Sequence, residues 1–143
     1  MASDNVPSDI KLHRKSGILE LSYRDGERFE LTAEFLRVYS PSAEVRGHGK
    51  GQEVLQTGKK QVQITGLIPT GNYAIRLVFD DRHDSGIYSW DYLRELGERK
   101  QHYWSEYLAK LRAAGASREP LPPGTQVVSI EPLKSEDPSA GQS

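Results

Sequence analysis

The stretch from Phe79 to Leu93 constrains the fold more than any other, because the hydrophobic period changes across it. Upstream, apolar residues alternate, as at Tyr73, Ile75, Leu77 and Phe79, which is the period of a strand. Downstream they recur at helical spacing, first at Trp90, Leu93 and Leu96, then at Tyr103, Trp104, Tyr107, Leu108 and Leu111. Such a chain must turn a sheet into helices here. The fold class expected is α+β: a small, mostly antiparallel sheet packed by a short helix and a C-terminal helical segment. The same stretch holds the densest polar cluster, Asp80, Asp81, His83, Asp84 and Ser85, bracketed by Phe79 and Trp90. Polar side chains gathered where a strand gives way to a helix are the first place to look for a site.

Residues 1–8 read as a polar, disordered lead. Ile10 and Leu12 alternate with charged neighbours and suit a first strand, and Ser16-Gly17 offers a tight turn into a second strand from Ile18. The next turn is fixed by register. A two-residue Asp25-Gly26 loop would set Leu21 against Glu30. A three-residue loop, Arg24-Asp25-Gly26, sets Leu21 against Phe29 and Leu19 against Leu31. The second matches both apolar faces and places Gly26 where a left-handed residue is wanted. Thr32 then caps a short helix, Ala33 to Val38, with Glu34 in its first turn and Ser40-Pro41 ending it.

Residues 43–60 are rich in Gly, Gln, Lys and Arg and read as a long exposed loop, most mobile at Gly47-His48-Gly49-Lys50-Gly51. That glycine run lacks the spacing of a phosphate-binding loop, and no strand feeds into it. Gln61 to Thr65 suits a strand, and Thr70-Gly71-Asn72 a turn before the strand that begins at Tyr73. Beyond the central stretch, Ser89 is placed to cap a helix whose stripe stops at Gly97, read as the glycine just past its end. A second helix is expected over 98–114, ended by Gly115, with His102 at its surface. Pro120, Pro122, Pro123 and Gly124 bar further helix. Val127, Val128 and Ile130 suit an edge strand, and 134–143 a disordered tail.

With 143 residues the chain suits one domain, burying roughly 68–70% of its unfolded surface. The absence of cysteine excludes disulfides, thiolate metal sites and cysteine nucleophiles. Nineteen basic and twenty acidic residues leave no overall field to select nucleic acid or an anionic membrane. No apolar run approaches a membrane span, and the N-terminus has no basic and apolar leader, so a cytoplasmic location is expected. The basic run Lys11 to Lys15, without an aromatic platform, reads as protection of a sheet edge.

His83 with Asp80, Asp81 and Asp84 is the one constellation with the residue types of a divalent-metal site. A facial triad needs a second histidine, and only His13, His48 and His102 remain. The simpler expectation is that the aspartates cap the turn while His83 hydrogen-bonds locally. Ser85 and Ser89 lack the glycine-flanked elbow of a serine nucleophile. No catalytic and no cofactor-binding residues are assigned.

Three segments together carry a resemblance: Glu34-Phe35-Leu36-Arg37-Val38-Tyr39-Ser40-Pro41-Ser42-Ala43-Glu44-Val45, then Gly71-Asn72-Tyr73, then His83 to Leu93. The chain resembles the small bacterial proteins related to the N-terminal domain of gamma-butyrobetaine hydroxylase, over residues 9–113. The resemblance implies a compact α+β domain over 9–115, followed by a Pro-rich extension and tail over 116–143. In the eukaryotic hydroxylases such a domain precedes an iron and 2-oxoglutarate oxygenase domain and supports dimer contacts. Similar domains occur attached to P-loop iron–sulfur carrier ATPases. The hydroxylase domain holds zinc through Cys-x-Cys-x-x-Cys and a later histidine. Those positions fall here on Ser40, Ser42, Val45 and His83. Neutral serine is a poor zinc ligand and valine is none, so the zinc is not expected. The oxygenase barrel has no room in this chain.

The function expected is therefore a non-catalytic accessory module whose partner is another protein, with a second copy of the chain as the alternative. The competing expectation is a metal-binding or iron–sulfur-handling accessory protein using His83 and nearby carboxylates. No cofactor is expected on the first reading, a divalent metal at His83 on the second.

Overall fold

A computed structural model describes residues 5–46 and 54–120. The chain is α+β. Its first sheet is an antiparallel meander of β1 (Asp9–His13), β2 (Ile18–Ser22) and β3 (Arg28–Thr32). The second is a meander of β4 (Ile64–Thr70), β5 (Ala74–Phe79) and β6 (Gly86–Ser89). Between the sheets run α1 (Ala33–Val38) and the single turn α2 (Ala43–Arg46); after them come α3 (Trp90–Glu98) and α4 (Lys100–Ala114). None of the described helices is long and apolar enough to cross a membrane.

The three-residue hairpin forms as its register requires. Leu21 pairs with Phe29 and Leu19 with Leu31, and Gly26 takes a left-handed φ of 91°. Both foreseen caps are made: the Thr32 and Ser89 hydroxyls accept from the Phe35 and Tyr92 amides, each at 3.1 Å. His102 is exposed.

Several local expectations give way to tertiary structure. The loop expected from Ala43 opens with α2, whose Val45 and Arg46 amides both bond the Ser42 carbonyl. Its glycine run, Gly47 to Gly51, lies outside the described residues, as do the strand expected over 127–130 and the tail. β4 runs to Thr70 rather than Thr65, past a bulge between Ile64 and Gly66. Tyr73 belongs to the turn, not to β5, and is 59% exposed. The polar stretch contains a strand, β6, before the helix begins. Gly97 is inside α3, not past its end; Arg99 closes that helix. A Cβ on Gly97 would stand 2.5 Å from the Phe29 ring, so glycine is there because β3 packs against the helix.

Leu19, Leu21 and Leu31 from the first sheet meet Ile75, Leu77 and Tyr88 from the second, with Phe35, Leu36, Leu93 and Leu96 from the helices. A smaller cluster of Val38, Tyr107 and Leu111 secures α4. Beyond α4, the Ser117 and Arg118 carbonyls accept from the Gly58 and Lys60 amides. The Arg118 guanidinium also forks onto the buried Glu34 carboxylate at 2.7 and 2.8 Å. This part of the C-terminal extension is packed.

Candidate functional site

The turn between β5 and β6 brings His83 against the C-terminal end of α1. Phe79 donates its amide to the His83 carbonyl at 2.9 Å, closing the turn, and Arg82 takes the left-handed φ of 73°. That conformation costs a non-glycine residue about 1–2 kcal/mol, here held in place by the bonds around it. The Asp81 carboxylate accepts from the His83 amide at 3.2 Å. The imidazole is thereby fixed from the backbone side and is buried, at 4% exposure.

Its Nε2 lies 2.8 Å from the Ser40 hydroxyl, which is fully buried. Ser40 Oγ also accepts from the Ser42 amide at 3.2 Å. Tyr88 donates its own hydroxyl to the Leu36 carbonyl at 2.5 Å. The buried histidine, the Ser40 hydroxyl and the Tyr88 phenol thus each have a hydrogen-bond partner inside the fold. Burial raises the Tyr88 hydroxyl well above the usual tyrosine range, with the Ser40 bond opposing it, so the phenol stays protonated. Alongside, Ser42 and Ser85 hydroxyls meet at 2.7 Å. Gly86 leaves room for this packing, since a Cβ there would lie 2.5 Å from Ser40 Oγ.

Asp81 extends the network to the surface. Its Oδ2 accepts from Arg37 Nε at 2.9 Å and from Lys59 Nζ at 2.6 Å. Burial pushes its carboxyl up, but the Lys59 bond and the charges of Arg37 and Lys59 outweigh that and leave it below its ordinary 3.8. Lys59 and Arg37 were not among the candidates from sequence. Lys59 lies in a run read as loop, and Arg37 on a helix face whose contacts are set only by the tertiary fold.

Of the sequence candidates, Asp81, His83 and Ser85 come together with Ser40 and Ser42. Asp80 turns away to accept from the Gln63 amide at 3.1 Å. Asp84 is exposed, its carbonyl taking a bond from Arg76. Trp90 serves the turn before β5, donating Nε1–H to the Asn72 carbonyl at 2.9 Å. His13 is on β1, bonded to Glu20 at 2.8 Å, and His48 lies outside the described residues.

Among the described residues no three histidine, cysteine or acidic side chains are grouped so as to hold a metal ion. The donor chemistry agrees. At the positions of the hydroxylase ligands, Ser40 Oγ is a neutral hydroxyl bonded to His83 and the Ser42 amide, and Val45 is a buried hydrocarbon. These residues do not fit zinc. The Ser40 side chain is buried at 1% exposure, its hydroxyl held between His83 and the Ser42 amide.

The sheet, turn and helix that frame this site define an α+β family. A family model described as gamma-butyrobetaine hydroxylase-like, N-terminal, matches residues 10–94, and the chain belongs to that family. Two solution NMR structures are similar to it, each at 49% identity. One covers 89% of this chain and 100% of its own with a TM-score of 0.73; the other covers 90% and 98% with a TM-score of 0.69. A crystal structure of a protein of unknown function in the DUF971 family, from Acidithiobacillus ferrooxidans, is 34% identical. It covers 68% of this chain and 98% of its own, with a TM-score of 0.56. None of the curated proteins matches.

Proposed function

We propose that this chain is a non-catalytic accessory module that binds another protein. The observation that carries the reading is on the outer face of the second sheet. Ile68, Arg76 and Ile87 stand opposite one another on β4, β5 and β6, so their side chains share one side of the sheet. Ile68 is 40% and Ile87 44% exposed. Tyr73, at the turn between β4 and β5, is exposed as well. Two exposed isoleucines on either side of an arginine, in register across three strands and left uncovered by the described residues, form the kind of mixed apolar and basic surface a partner protein covers. The closed state of the Ser40–His83 site supports the same reading, since its polar atoms are directed at each other.

The test is affinity capture from the native cell extract by the full chain and by the Ile68→Lys/Ile87→Lys variant, with mass spectrometry. A partner taken reproducibly by the first and lost from the second, at unchanged melting temperature, is the expected result. No reproducible partner, or equal capture by both, would refute the proposal. Sedimentation of the pure chain identifies the case in which the partner is a second copy.

A further inference from the structure

On the other side of the Ser40 segment, the end of α1, α2, residues 54–56, α3 and α4 enclose an open cleft of about 950 Å³. Its walls are tyrosine rings, and each is held by its own hydroxyl. Tyr92 donates to the Tyr39 carbonyl at 2.5 Å, Tyr39 to the Tyr103 carbonyl at 2.7 Å, and Tyr107 to the Gln56 carbonyl at 2.7 Å. Tyr103 donates to the Glu95 carboxylate. Rings tied in this way present fixed apolar surface with their polar tips already satisfied, so a ligand meets them at no ordering cost. Val38, Val45 and Leu55 are among the other apolar residues of the lining.

The lining of the cleft has two cations against one carboxylate. Among the described residues its lining has three charged side chains, Arg46, Glu95 and Lys110. Glu95 keeps its charge but accepts from the Tyr103 hydroxyl, and the Glu106 carboxylate, outside the lining, acts on the Tyr39 hydroxyl. Arg46 lies over the Tyr92 ring, 5.0 Å from its centroid, and neither it nor Lys110 has an ion-pair partner among the described residues. Lys110 follows Tyr103 and Tyr107 at the spacing of one face of α4. Both cations therefore stand on the border of an aromatic floor, and the volume is that of a small-molecule site.

We propose that this cleft binds a small amphipathic organic anion, its apolar body against the tyrosine rings and its acidic group toward Arg46 and Lys110. The site lies apart from the sheet face assigned to a partner protein and is tested separately. The probe is anilinonaphthalene sulfonate, titrated into the full chain and followed by fluorescence, with amide shifts to place it. The uncharged phenylnaphthylamine serves as the control for apolar contact alone.

One saturable site is expected, with shifts concentrated at Leu55, Tyr92, Tyr103 and Tyr107. The Arg46→Glu/Lys110→Glu variant should bind the sulfonate on the order of tenfold more weakly, since two attractions become repulsions. It should bind the uncharged probe unchanged, and keep the parent melting temperature. Lys110→Arg should keep the parent affinity. Absence of saturation up to about 1 mM, the weak end of specific binding, would overturn the proposal. So would equal sulfonate affinity in the double variant, or shifts centred on Ile68 and Ile87.

Discussion

Asp81 ties together three parts of the chain far apart in sequence, and its carboxylate does so in the ionised form. Arg37 and Lys59 both donate to one of its oxygens and the His83 amide to the other. With its folded pKa held below the ordinary 3.8, the group binds protons less readily folded than unfolded. Its contribution to stability is complete above the unfolded value and is lost as pH falls through the folded one. Asp81→Asn should therefore cost about 1–3 kcal/mol near neutrality, the scale of hydrogen bonds to charged groups. That difference should stay level down to about pH 5 and then narrow as acid titrates the parent carboxylate. Thermal unfolding of both proteins across this range checks it; a difference that persists unchanged to pH 3 would contradict the assignment.

The elements show where local sequence suffices and where it does not. The β2–β3 register was legible because both strands alternate and one slip would turn every side chain over, leaving a single loop length that works. Gly97 was misread for the opposite reason. A glycine at the end of an apolar stripe looks the same whether it ends a helix or admits a neighbour, and the neighbour, Phe29, is 68 residues away. β6 escaped because Ile87 and Tyr88 are too short a run among Gly and Ser to show a period. α2 escaped because it is a single turn held by the Ser42 carbonyl. Gly97 yields a prediction whose sign separates the two readings. By helix propensity alone, Gly97→Ala should stabilise by about 1 kcal/mol. With a Cβ 2.5 Å from the Phe29 ring it should instead destabilise, by about 1–3 kcal/mol for overpacking. Denaturant unfolding of Gly97→Ala decides between them, and Phe29→Leu in the same chain should recover part of the loss.

At the scale of the molecule, the Ser40–His83 contact joins the end of the first half, at α1, to the turn inside the second sheet, across 43 residues of sequence. The polar residues of this site were visible in the sequence as a cluster, and the resemblance aligned Ser40, Ser42 and His83. Their hydrogen bonds, and the parts played by Tyr88 and Gly86, follow only from the packing of β6 against α1. This contact is a closure made by hydrogen bonds, in residues that do not suit a metal. The measurement that tests it most directly is a double-mutant cycle of Ser40→Ala and His83→Ala, by denaturant unfolding with chelator and with added zinc. Each single change should cost about 1–3 kcal/mol, because it leaves a buried partner without its bond. The two should couple by at least about 0.5 kcal/mol, the same in chelator and in zinc. Additive costs with no coupling, or a zinc-dependent gain in the parent that disappears with His83→Ala, would contradict it.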